Sequence, residues 1–172
     1  MADTRVTVKW DGAPAIICGR NPENKQFFVG TKSVFNKVDP KIIYSESDVD
    51  RLYSPGQLAD KLKQSYRYFS TLNIPNVVQG DLLFTDDKYE ANIGGDTCIA
   101  FQPNTIVYAV PKDSDIGQKI NEAKIGIVFH TQYDGRTMDA MSASFGNINI
   151  QGTNDVFVTS SDFKNASGEA NM

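Results

Sequence analysis

Near the start of the chain, Val6, Val8 and Trp10 alternate with Arg5, Thr7, Lys9 and Asp11. This period of two is that of a strand with one face on a core and the other toward water, so Lys9 and Asp11 share its polar face. Two β-rich runs, AIICGR and QFFVGTKS, flank NPENK, whose Asn and Pro are turn-formers. Residues 15–32 are therefore expected to form a hairpin carrying Arg20 and Lys32. The period changes in SPGQLADKLKQSYRYFSTL, where Leu58, Leu62, Tyr66 and Phe69 recur at helical spacing behind Ser54-Pro55. That spacing predicts a surface helix over about residues 55–71. Further strands are expected at NVVQGDLLF, TCIAFQP, TIVYAVP and IGIVFHT, with a helix at SDIGQKINEAK between the last two. From Ser160 to Met172 the residues are polar and small, the pattern of a flexible tail. The fold class expected is α+β, with mainly antiparallel sheets and a few surface helices, in a single domain over residues 1–159.

Composition narrows the function classes. A chain of 172 residues with 40% apolar content can bury one substantial core. Its net charge of −4 opposes phosphate, so a nucleic-acid partner needs a local basic patch, and non-specific coating of DNA is disfavoured. Cys18 and Cys98 lie far apart without CxxC spacing, and the first residues lack a secretory apolar run, so a reducing cytoplasm is expected. No apolar run approaches the roughly 20 residues of a spanning helix, and no membrane partner is expected. Asn165-Ala166-Ser167 spells a glycosylation sequon, which in that setting is only part of the polar tail.

The residues that bear chemistry come in a definite order: Lys9-Trp10-Asp11-Gly12 at the end of a strand, Gly19-Arg20 and Lys32-Ser33 on the next hairpin, then Gln79-Gly80-Asp81-Leu82 on a later strand. This order resembles the covalent nucleotidyltransferase superfamily of DNA ligases, RNA ligases and mRNA capping enzymes, which implies a ligase-type, ATP-grasp-like core. In that superfamily the lysine of K-x-D/H-G attacks the α-phosphate of ATP or GTP and becomes a lysyl-nucleotide. The resemblance makes Lys9 the nucleophile. A lysine amine with an ordinary pKa near 10.4 is protonated at neutral pH, so an active one needs desolvation or neighbouring cations. Arg20 and Lys32 would supply cations and grip phosphate or ribose, Asp11 would belong to the nucleotide site, and Gly12 would let the backbone approach the nucleotide.

The likeness continues along the chain. Asp81 stands where the superfamily has a glutamate that binds ribose hydroxyl or metal. TIVYAV resembles the strand whose aromatic stacks on the purine, which makes Tyr108 the stacking candidate. IGIVFH resembles E-G-x-V-x-K, with Phe129 a further aromatic candidate and His130 near the usual lysine. Ile125 replaces the metal-binding glutamate there, Pro14 stands where DNA ligases usually carry arginine, and no K-x-K closes the sequence on a final strand. Over roughly residues 5–135 the chain also looks like an uncharacterised family of tailed-bacteriophage proteins, themselves similar to the ligase-type enzymes. The cofactors implied are ATP and Mg²⁺, and the acceptor a 5′-phosphate end of nucleic acid, RNA ahead of DNA. Host cytoplasm would be the location of a phage-encoded protein.

Read from the residues alone, each site keeps a plainer alternative. Lys9 is also an ordinary lysine on a wet strand face, Asp11-Gly12 a common turn, and Arg20 and Lys32 surface charges of a hairpin. Tyr108 and Phe129 fit a core as well as a base stack, and a lone histidine, His130, builds no histidine-cluster metal site. Asp81 alternates with Val77, Gln79 and Leu83, which argues for a lined cleft. Two other functions stay open: a non-catalytic nucleotide- or nucleic-acid-binding module, and a phage structural or interaction protein.

Overall fold

The computed structural model describes residues 15–103, 106–146 and 148–159. Lys9, Asp11 and Gly12, the strand expected at residues 5–11 and the tail from Ser160 lie outside them. Within them the chain is α+β. It runs β1 (Ala15–Arg20), β2 (Phe27–Gly30), a 3-10 turn (Lys32–Phe35), α1 (Glu46–Leu52), α2 (Gln57–Phe69), β3 (Val77–Phe84), β4 (Tyr89–Ile93), β5 (Asp96–Phe101), β6 (Tyr108–Pro111), α3 (Asp115–Glu122), β7 (Ile125–Asp134), β8 (Ser142–Phe145) and β9 (Val156–Thr159). These elements cluster in two compact units, one of Ala15–Gly80 and Phe129–Gln151, the other, among the described residues, of Asp81–Val128 and residues 152–159. Strands β3 and β7 contribute residues to both.

In the first unit the strand order is β2-β1-β3-β7-β8. The run Ile16-Ile17-Cys18 is fully buried because β1 sits inside the sheet and has no wet face, which is why it reads as continuous rather than alternating. Antiparallel β2 pairs Gly30 with Ile17 and Phe27 with Arg20. Its outer side is bonded through Val29 to Ile43, each amide donating to the other's carbonyl at 3.0 Å, so β2 is no bare edge. Ile17, Phe28, Val34, Val77 and Met138 form the core. Helix α2 is slightly shorter than its predicted span, and its buried stripe is Ala59, Leu62, Ser65 and Phe69. Leu58, expected on that face, is 39% exposed in the first helical turn, where Ala59 takes the inward position.

The second unit holds an antiparallel β4-β5-β6 sheet, and β9 runs parallel to residues 125–128 of β7. Its core stacks Phe101 on Tyr108 at 5.6 Å between centroids and sets Phe84 5.3 Å from Phe101. Gly126 admits Phe84: a Cβ there would lie 2.3 Å from the ring's Cε2. Ser114 caps α3, its Oγ accepting from the Gly117 amide at 3.0 Å.

Helix α1 and the strands β4, β8 and β9 are not among the elements expected from the pattern. Helix α1 has seven residues and buries only Val49, too little for a periodic signal. Strand β4 is exposed over most of its length, and every residue of β8 is exposed, so neither shows an apolar face.

Candidate functional site

The β1–β2 hairpin separates the two cations that were expected to act together. Arg20 ends β1 opposite Phe27, whereas Lys32 follows β2 at the end where β1 begins. At about 3.3 Å per residue, the five-residue length from Ala15 to Arg20 is roughly 17 Å of strand. The structure therefore does not bring Arg20 and Lys32 to one phosphate. Lys32 lies at the hairpin end where β1 starts at Ala15. It is exposed and opens the 3-10 turn, which Thr31 caps by accepting from the Ser33 amide at 3.3 Å. From residue 20 to residue 45 the chain carries Arg20, Lys25, Lys32, Lys37 and Lys41 against Glu23 and Asp39, a basic stretch in an acidic protein. Lys41 places its ammonium 5.0 Å from the Tyr53 ring centroid.

Arg20 instead lines a pocket of about 200 Å³, together with Lys25 of the hairpin loop, Asn76, Tyr133 and Asp134. Its walls are made rigid locally. Asn21, 4% exposed, donates from Nδ2 to the Tyr44 hydroxyl at 2.9 Å and accepts at Oδ1 from the Glu23 amide at 2.9 Å. Lys25 adopts a φ of 64° and its amide donates to the Asn21 carbonyl at 2.7 Å. The Arg20 amide donates to the Asn76 carbonyl at 3.3 Å, across a gap that only Gly19 leaves open. Tyr133, from β7, donates its hydroxyl to Gln79 Oε1 at 2.6 Å, and burial pushes its phenol pKa up. Pattern reading found Arg20 but missed Lys25 and Asp134, since the loop and the end of β7 meet only through the tertiary fold.

The other candidates fall as follows. Tyr108 is 3% exposed within the second unit's core, and Phe129 is 1% exposed, 6.2 Å from Phe69 in the first. Rings so enclosed pack as core residues, with their faces against other rings. His130 is half-buried, with Nδ1 hydrogen-bonded to Thr131 Oγ1 at 2.7 Å. Asp81 is the one half-buried residue of β3, whose other positions are buried. Among the described residues no group of three His, Cys, Asp or Glu could hold a metal ion, and no helix is long and apolar enough to cross a membrane. Magnesium commonly takes one or two carboxylates plus substrate phosphates, so Asp81 suits at most one ligand position of an ion arriving on a nucleotide.

The chain belongs to a family of unknown function, DUF6267, whose model matches residues 1–172. No curated protein and no solved structure matches it.

Proposed function

We propose that this protein is a covalent nucleotidyltransferase of the ligase type, with ATP as nucleotide and a 5′-phosphate end of nucleic acid, RNA ahead of DNA, as acceptor. The observation that carries the reading is the order Lys9-x-Asp11-Gly12, hairpin, Lys32-Ser33, Gly80-Asp81-Leu82, with Lys32 at the hairpin end where β1 starts at Ala15. In the first step the free-base amine of Lys9 attacks the α-phosphorus. An N–P bond forms, the P–O bond to pyrophosphate breaks, and the amine's proton passes to solvent. In the second step an oxygen of the 5′-phosphate attacks the same phosphorus, the N–P bond breaks, and the end is adenylylated while lysine is regenerated. Lys32 lowers the cost of negative charge at phosphate, and the basic stretch over residues 20–45 supports a nucleic-acid partner despite the acidic whole. Asp81 would serve as a protein ligand to a magnesium ion, which would supply charge neutralisation.

Ile125 in place of a glutamate favours a second reading, a nucleotide-binding module without the transfer step. Incubation with α-labelled ATP and magnesium decides between them. Covalent label that Lys9→Ala abolishes supports the enzyme, a thermal shift without label supports the module, and neither label nor shift rejects both.

A further inference from the structure

The pocket at the far end of the hairpin has a composition of its own. Arg20 and Lys25 bring two cations to it, and one Arg20 N–H is already held by the Lys25 carbonyl at 3.3 Å, which fixes the guanidinium beside the loop. Among the described residues no carboxylate forms an ion pair with either of them. Such a pair suits the two charges of a phosphate monoester, and the planar guanidinium can meet two of its oxygens at once. Asp134 lines the same pocket, and an ionised carboxylate only accepts hydrogen bonds. Gln132 Nε2 already donates to the two Asp134 oxygens, at 3.4 and 3.3 Å, and their remaining lone pairs suit a ligand that carries a donor beside its anionic oxygens. A volume of about 200 Å³ is below the roughly 300 Å³ at which sites for drug-sized ligands begin, which suits a ligand smaller than a nucleoside triphosphate. Asn21 and the Gly19–Asn76 approach hold the walls in place without a ligand, which removes an ordering cost from binding.

We propose that this pocket binds a sugar phosphate, with the phosphate on Arg20 and Lys25 and a sugar hydroxyl donating to Asp134. The site does not use Lys9 and does not rest on the nucleotidyltransferase reading.

The test is isothermal titration of the full chain carrying Lys9→Ala with ribose 5-phosphate, inorganic phosphate and alanine in turn. Ribose 5-phosphate is expected to bind about tenfold more tightly than inorganic phosphate, and Arg20→Gln to weaken it by about tenfold or more. Lys25→Asn is expected to weaken it similarly, because asparagine tolerates the positive φ and the loop keeps its shape. Asp134→Ala, which leaves no acceptor for the sugar hydroxyl, should remove the preference over inorganic phosphate while leaving phosphate itself bound. Circular dichroism of each variant confirms that it is folded. Absence of binding at millimolar ribose 5-phosphate overturns the proposal, as does alanine binding more tightly than ribose 5-phosphate, an unchanged affinity in folded Arg20→Gln and Lys25→Asn, or a preference that survives Asp134→Ala.

Discussion

Replacing Gly19 by alanine tests the close approach that shapes the pocket wall, and Gly146 provides the control. Their φ angles are nearly equal, +143° at Gly19 and +144° at Gly146, so both substitutions place an L residue in a conformation it rarely adopts. That strain costs about 1–3 kcal/mol at either site. Their surroundings differ. Among the described residues a Cβ at Gly146 meets nothing within 4 Å, whereas at Gly19 it would lie 2.0 Å from the Asn76 carbonyl oxygen and 2.9 Å from the Val77 Cα. Both obstacles are backbone, so relief requires moving β1 away from residues 76–77 and stretching the Arg20 amide bond to Asn76. Crowding of this kind costs about 1–3 kcal/mol, and the weakened hydrogen bond adds about 0.5–1.5 kcal/mol. Gly19→Ala should therefore be less stable than Gly146→Ala by about 2 kcal/mol, or about 4–8 °C in Tm for a chain of this size. Urea unfolding followed by circular dichroism gives both values. If the two variants agree within about 0.5 kcal/mol, the Gly19 contact carries no energy and the reasoning from close approach is wrong.

Tyr133→Phe removes the hydroxyl that donates to Gln79 Oε1 and leaves that amide, 9% exposed, without this donor. It should cost about 1–3 kcal/mol in urea unfolding, and Gln79→Leu added to it should recover part of the loss; a double variant weaker than the sum of the singles would argue against the bond. The hydrogen bonds of Arg67 to Glu46, at 2.8 and 3.0 Å, hold the Glu46 carboxyl below its ordinary range. A depressed folded-state pKa stabilises above the unfolded value, about 4.3, and the gain is lost as pH falls through the lower folded value. The Tm difference between wild type and Glu46→Gln should thus hold steady above about pH 5 and shrink below about pH 4. A difference that stays constant down to pH 3 contradicts the pairing.

What could be read from the sequence was what depends on neighbours within a few residues. Alternation and apolar runs located β1, β2, β3, β5, β6, β7 and the helices α2 and α3, because a side chain's face in an element follows from its spacing alone. Helix α1 and the exposed strands β4 and β8 escaped notice because they bury too little to impose a period. The candidate site shows the same division. That Arg20 and Lys32 share a hairpin is a local fact, readable from two β-rich runs and a turn. That they sit at opposite ends of it follows from the register, Ile17 against Gly30 and Arg20 against Phe27, which hydrogen bonding and core packing select. Tyr108 and Phe129 show the limit from the other side, since an aromatic on a strand has the same pattern whether its ring meets a ligand or another ring. Here Phe101 and Phe69 occupy the neighbouring space. The sequence by itself determined the α+β class, most of the elements and the order of the chemical groups. Only the tertiary structure decided which cations have a common pocket, because Arg20, Lys25 and Asp134 meet through contacts between segments more than a hundred residues apart.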